Sequence, residues 1–425
     1  MQSGPEVVIT GCGVVTPLGA DLDSFLASLR EGRSAVRRLD VDAETGNRSW
    51  YVAPIDGYDA KRYVQPRKAI KLISTEIKYA FGATSMACEA AGLVPGTVDP
   101  DRLGVCFGSE MIFSEIFELQ DLLRHATTEE GVDFGIWGRS FMSHIYPLWM
   151  LRGLPNMAAC HASIVLDARG PNNSIATDET ASLTALHEAY LQIKRGRADA
   201  MIVGAASSYL TPTRYLQVPA EHYAHAMVDE PASAIRPFAA NRIGMGHGEG
   251  AACIVLERAE HAAARGARPM ARLASIAAGF RKPEKYRSGS AAAISQVLCD
   301  AVERAGIHPE DIDHVASGGN GSLELDRQSA AGIADALPGS PVVAVQGGMG
   351  NIGASTGLCE LIASIVTAGR FGERPWTVNC ATPDRDLGIN VVNEPGHPIR
   401  RPYIAKYSQT THGQTAAVVV QLSDA

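Results

Sequence analysis

Apolar positions along this chain fall into short unbroken runs separated by alanine-rich stretches of helical period. Val7-Val-Ile-Thr10, Leu103-Gly-Val-Cys-Phe-Gly108 and Met201-Ile-Val-Gly-Ala-Ala206 are of strand length and lack a polar face, which predicts strands buried on both sides. Further strands are expected at 271–278, 341–345 and 414–422. Helical spacing runs through Phe25–Leu29, stopped by Gly32, and through residues 77–92. It recurs at Ala181, Ala185, Leu186, Ala189, Tyr190 and Ile193, where Arg195-Gly196 closes the helix. Strands alternating with helices predict an α/β protein with sheet packed between helical layers. The polar run Glu257–Gly266 reads as a helix and as the boundary between two halves, 1–258 and 259–425.

Two stretches are apolar beyond what one buried face needs. Within Met111–Leu123, Ile112, Ile116, Leu119 and Leu123 share one helical face, and Phe113, Phe117 and Gln120 an adjoining one. That width suits core packing or a subunit contact. Phe134, Trp137, Phe141, Met142, Tyr146, Trp149, Met150 and Met157 crowd residues 134–165. Core packing is the simplest account of them, and a partner surface or pliable apolar pocket the other. Gly244, Gly246, Gly248 and Gly250 have the look of a nucleotide loop, but they lead into a strand, whereas phosphate needs a helix N-terminus. No cofactor is expected from them.

Composition narrows the class. A hydrophobic content of 46% and a charged content of 20% fit a globular chain, and a net charge of -8 argues against a nucleic-acid partner. The same charge suits an acidic partner only through a local basic patch or a second subunit. The polar opening Met1–Glu6 predicts no secretory leader, and no apolar run approaches a membrane span, so a cytoplasmic protein without membrane contact is expected. The 8 cysteines are scattered with no C-x-x-C pair, which predicts reduced, mostly buried thiols and no metal site.

Candidate chemistry centres on Ser174–Ala185. A strand feeding directly into a helix presents a nucleophile well, because the first helical N–H groups are unpaired and lower a thiol's pKa. Here that place is held by Asp178-Glu179, and acids at a helix start also serve as simple caps. The run Arg169-Gly-Pro-Asn-Asn-Ser-Ile-Ala-Thr177, the helix after it and Arg195–Ala205 together resemble the active-site region of the β-ketoacyl synthases. In that thiolase-like family the corner carries a cysteine that becomes acylated, and counting without a gap puts it at Glu179. The strand and glycine turn of Val7–Gly19 resemble the family's opening. Ile235–Leu256 resembles its PFD…GxxxGEGA loop, with Ala239 where aspartate is usual. The resemblance covers nearly the whole chain and implies an αβαβα fold of two similar halves.

Decarboxylative condensation needs a thiolate to hold the acyl group and donors to stabilise the enolate. The family's donors are two histidines, in loops reading HGTxT…D and KSxxGHxxGAAG. Anchored on Asp313 and Asp326, the first histidine position is Gly318. In Gln346–Gly357 the lysine becomes Gln346 and the second histidine Asn351. Asparagine donates a hydrogen bond but cannot change protonation state near neutral pH. The last loop, Ser408–Ala417, has Gln409 for the family's first phenylalanine, keeps Gly413 and adds His412 as a new titratable group.

These losses on a retained scaffold resemble the chain length factor of type II polyketide synthases, a ketosynthase relative without the cysteine. The resemblance implies a heterodimer with an active ketosynthase, service by an acyl carrier protein, and no cofactor, metal or catalytic residue of its own. It also implies a chain-length tunnel narrowed by a helix at the dimer interface. Anchored on Phe117–Gln120, the tunnel positions are Ile112, Glu115 and Leu119, with Ile116 in place of Glu115 if the alignment slips by one. A charge lining an apolar tunnel is costly, which favours Ile116. Glu179 is then expected to fill the old acyl site by hydrogen bonding. The rival readings are a malonyl-carrier-protein decarboxylase working through Glu179, and a Glu179–His412 acid–base pair. A condensing enzyme using Cys160 beside His161 is weaker, because sequence neighbours do not face one another on a helix or strand.

Overall fold

The computed structural model describes residues 4–40, 49–110 and 116–423. The buried runs form one mixed sheet of 13 strands. In chain order they are β1 Val7–Val15, β2 Arg37–Asp40, β3 Ser49–Ala53, β4 Leu103–Ser109, β5 Asn172–Ala176, β6 Ala200–Ser208 and β7 His247–Arg258. There follow β8 Ala271–Phe280, β9 Ile312–Ala316, β10 Pro341–Val343, β11 Asn390–Val391, β12 Tyr403–Gln409 and β13 Gln414–Leu422. The spatial order is β11-β10-β9-β12-β13-β8-β1-β7-β6-β4-β5, with β3 against the start of β7 and β2 against β3.

That order contains one pattern twice. In the first half β1 pairs antiparallel with β7, β7 antiparallel with β6, β6 parallel with β4, and β4 parallel with β5. In the second half β8, β13, β12, β9 and β10 repeat the same sequence of antiparallel and parallel pairings. The halves meet where Val8 and Ile9 pair with Arg272 and Ala271. The fold is therefore the expected α/β thiolase-like arrangement of two similar halves.

Three helical layers cover the two faces of this doubled sheet. The main helices are α1 Leu22–Glu31, α2 Thr75–Ala90, α3 Ile116–Ala126, α4 Phe134–His144, α5 Met157–Leu166, α6 Ala181–Lys194, α7 Pro212–Gln217, α8 Ala291–Ala305, α9 Leu323–Ala336 and α10 Thr356–Phe371, with shorter turns of helix at Met150–Gly153, Ala259–Ala264 and Gln346–Met349. Between the two half-sheets lie α6 and α10, flanked by α1, in a core that includes Val14, Leu186, Ile254, Leu273, Ile362 and Val418. The outer face of the first half packs on α2 and α5, and that of the second on α8 and α9. Asp21 caps α1 by accepting from the Ser24 N–H at 2.8 Å, and Gly32, at φ 66°, ends it in the left-handed conformation glycine adopts freely. Among the described residues no helix is long and apolar enough to cross a membrane.

Several local expectations are corrected. Glu257 lies inside β7 and is fully buried, and the helix after this strand runs only over Ala259–Ala264. Its carboxylate is gripped by Thr10, by Arg265 and by His261 at 2.8 Å, so a buried charge with three partners holds that residue in the sheet. Among the described side chains of α3, Leu122 and Ala126 are buried, while Leu123 is 41% exposed. Adjacent leucines lie about 100° apart on a helix, so periodicity leaves either face open and packing chooses. The apolar residues of 134–165 do not enter the core as a group: Phe134 is 80% exposed and Met142 72%.

Candidate functional site

The duplicated topology decides where the chemistry-bearing residues meet. In the first half the segments leaving β4, β5 and β6 emerge at one end, and in the second half those leaving β9, β10 and β12, as parallel strands require. In the first half these segments carry Glu110, Glu179 and Tyr209, and in the second Gly318, then Gln346 with Asn351, and then His412. The two sets face one another across a cleft of about 850 Å³, mouth included, whose walls contain Glu179, Tyr209, Arg214, Gly318, Gln346, Asn351, Glu360 and His412. So Glu179, Gly318, Gln346 and Asn351, equated by resemblance with four catalytic side chains, line one space.

The corner holding Glu179 is built by local strain and capping. β5 ends at Ala176, Asp178 takes φ 47°, and a single tight turn over Asp178–Thr180 leads into α6. Aspartate tolerates the left-handed region better than most residues. Thr180 fastens the turn, donating from its hydroxyl to the Thr177 carbonyl at 2.8 Å. Glu179 accepts from the Tyr209 hydroxyl at 3.3 Å and from Asn351 Nδ2 at 3.5 Å. Burial, reinforced by the neighbouring Asp178 carboxylate, lifts its pKa from 4.5 to about 7.

Behind this corner Arg214 is saturated with acid. Its guanidinium lies 2.9 Å from Glu110 Oε2 and 3.6 Å from Asp178 Oδ1. Burial pushes Glu110 well above the usual carboxylate range. Tyr209 is aimed from the other side by His247, whose Nδ1 lies 2.9 Å from the Tyr209 carbonyl and whose Nε2 lies 3.2 Å from the Tyr223 hydroxyl. Burial lowers His247 to about 3, so the ring is neutral: Nδ1–H donates and Nε2 accepts.

At the lysine position, Gln346 Nε2 donates to Glu360 Oε1 at 3.0 Å. The opposite oxygen of Glu360 lies 2.5 Å from Nζ of Lys406, a residue of β12 with no solvent exposure. A buried carboxylate thus keeps a cation although residue 346 supplies none. His412 is exposed at the cleft mouth, and no side-chain bond joins it to Glu179. Of the tunnel positions, Ile112 and Glu115 and the side chain of Ile116 lie outside the described residues, and Leu119 is half-buried on α3. Cys160 and His161 sit on α5 in an outer layer, with the His161 ring 5.5 Å from that of Phe81, remote from the cleft walls. No group of His, Cys, Asp and Glu able to hold a metal occurs among the described residues.

Comparison with known proteins follows the same lines. The N-terminal domain model of the β-ketoacyl synthases matches residues 5–262 and the C-terminal domain model residues 270–379. The chain belongs to the β-ketoacyl synthase family. A Streptomyces cyaneus protein that carries the name polyketide β-ketoacyl synthase 1 is 27% identical over 420 residues, covering 98% of this chain and 97% of its own. The solved structure of the ishigamide ketosynthase/chain length factor covers 99% of this chain and 100% of its own at 22% identity, with a TM-score of 0.84. A type II polyketide ketosynthase, solved with its acyl-carrier protein and bound to the hexaketide, superposes at a TM-score of 0.83 with 22% identity, covering 99% of this chain and 100% of its own.

Among the described residues no thiol lines the cleft of this β-ketoacyl synthase family member. Sequence reading missed Tyr209, Arg214, Glu110, Glu360 and Lys406. Lys406 lies in an apolar strand, Ile404-Ala-Lys-Tyr407, and a lysine predicted to be fully buried was the available signal. The close approach of loops also explains one glycine of the rejected nucleotide loop: a Cβ on Gly248 would lie 2.2 Å from the Met349 carbonyl oxygen.

Proposed function

We propose that this chain is the non-condensing partner of an active ketosynthase in a type II polyketide synthase, acting as a chain length factor does. The observation that carries the reading is the cleft itself. It brings the loops that resemble the family's active-site loops to one space, and there offers a carboxylate where acylation needs a thiolate, and Gly318 and Asn351 where enolate stabilisation needs imidazoles.

Partnership is supported by what the chain leaves uncovered. Among the described residues β5 pairs with β4 alone, so its other edge lies open next to Glu179. Exposed apolar side chains lie in the neighbouring segments, among them Phe134, Met142, Met150 and Ile164. Despite the net charge of -8, residues 61–71 expose Lys61, Arg62, Arg67, Lys68 and Lys71 with no acid among them. Such a patch suits an acidic carrier protein. The decarboxylase reading loses support for want of enolate donors, and the Glu179–His412 pair for want of contact. Glu179 near pH 7 is the one feature that favours residual acid–base work.

The test is co-expression with candidate active ketosynthases, followed by mass measurement and incubation with labelled malonyl and acyl carrier protein. The expected result is a 1:1 complex that elongates only with both chains present and carries covalent label on the partner alone. A stable homodimer that releases acetyl from malonyl carrier protein by itself would overturn the proposal.

A further inference from the structure

The cleft inverts the polarity of a site built for an oxyanion. At its buried end stand acceptors. Glu179 receives two long hydrogen bonds, 3.3 and 3.5 Å, which leave its carboxylate with acceptor capacity to spare. Gln346 is 3% exposed, and because its Nε2 donates to Glu360 its carbonyl oxygen is fixed on the opposite side. That oxygen is buried and has no hydrogen-bond partner. The nearby cation, Arg214, is engaged by Glu110 and Asp178, and Lys406 by Glu360. A buried acceptor left unpaired costs free energy that a donor ligand would recover.

Elsewhere the wall of the same cleft has the opposite character. Arg287, held at φ 56°, is half-buried in the cleft wall, and its Nε is buried without a partner. Among the described residues no carboxylate forms an ion pair with it. Met245 and Leu325 add apolar wall to the same cleft.

We infer that this cleft is a binding site for a primary alkylammonium whose far end carries an anion: the ammonium seats on Glu179 and the Gln346 carbonyl oxygen, and the anion on Arg287. Carboxylate and phosphate are equivalent in the chemistry Arg287 recognises. The inference goes beyond the partner role and does not depend on it, because it concerns a ligand held by this chain alone. Three N–H donors of an ammonium match the free acceptors at the buried end, whereas an acyl carbonyl or enolate would meet like-charged oxygen there.

The experiment is calorimetric titration of the full chain with 5-aminopentanoate, 4-aminobutyl phosphate, n-pentylamine and pentanoate. Binding of both bifunctional probes, weaker binding of the amine and none of the acid are expected. Because the seat holds a proton near neutral pH, binding should release protons, read as a heat that varies with buffer ionisation enthalpy. Glu179→Gln should weaken the amines by at least about tenfold, and Arg287→Ala should weaken the bifunctional probes while sparing n-pentylamine. Gln346→Leu, which removes the free acceptor and leaves Glu179 in place, serves as a second variant if Glu179→Gln is poorly folded. Pentanoate binding as tightly as 5-aminopentanoate, or no amine binding at millimolar concentration to a folded chain, would overturn the inference. Either result leaves the heterodimer assay unaffected, so the two proposals fail separately.

Discussion

Glu179→Gln also offers a quantitative test of the electrostatics at the corner. Glu179 is held at about 7 against an ordinary 4.5. Burial is the main cause and Asp178 the second. A carboxylate raised in the folded state binds more protons there than in the unfolded chain. It therefore costs nothing while both states are protonated and penalises folding as pH rises from 4.5 towards 7. By linkage that penalty amounts to roughly 3 kcal/mol at pH 7 and little more above it. Glutamine keeps the shape and the bonds from Tyr209 and Asn351 in modified form, but has no charge to desolvate. The variant should thus match wild type near pH 4.5 and gain on it by roughly 2–3 kcal/mol by about pH 8. Urea unfolding of both proteins at several pH values reads this difference directly, with the other carboxylates cancelling to first order. Parallel stability curves would refute the argument and show that water or Arg214 keeps Glu179 ionised.

Other outcomes follow from buried groups. Lys406→Met and Glu360→Gln should each destabilise by about 3–5 kcal/mol, and the double variant by less than their sum, because each single change strands a buried charge. For the same reason Gln346→Lys alone should destabilise, since Lys406 already neutralises Glu360, and should be tolerated when combined with Lys406→Met; denaturant midpoints decide. Asp313 is fully buried, bonded to His314 Nδ1 at 3.0 Å and to Arg374 at 2.6 Å, and these partners hold it well below the usual carboxylate range despite burial. Its contribution is present above the ordinary carboxylate pKa and lost as pH falls through the folded value, so Asp313→Asn should flatten acid unfolding monitored by circular dichroism. His314 also reaches Ser364 at 3.0 Å, but all three groups are sealed in the core. Ser364→Ala should therefore lower stability without altering any elongation assay of the heterodimer. Leu186→Ala, in the layer between the half-sheets, should cost about 2–5 kcal/mol in equilibrium unfolding.

Much of this molecule is legible in one dimension. Unbroken apolar runs such as Met201–Ala206 and the alanine-rich period of α6 fix element type, because burial on both faces of a strand and on one face of a helix leaves a local signature. The residues that the resemblance sets at the family's catalytic positions, 179, 318, 346 and 351, are equally legible, since the absence of a thiol or an imidazole at a position is read directly from the sequence. What periodicity could not choose was which of two adjacent leucines on α3 faces inward, and whether the aromatic and methionine side chains of 134–165 find a core within the chain. Those outcomes depend on what lies opposite. The pairing of Lys406 with Glu360 was also beyond sequence, because residues 346, 360 and 406 come together only in the folded chain. The near-neutral carboxylate at Glu179 has the same origin: a pKa is set by what surrounds a group in space, and here two halves of the chain supply it.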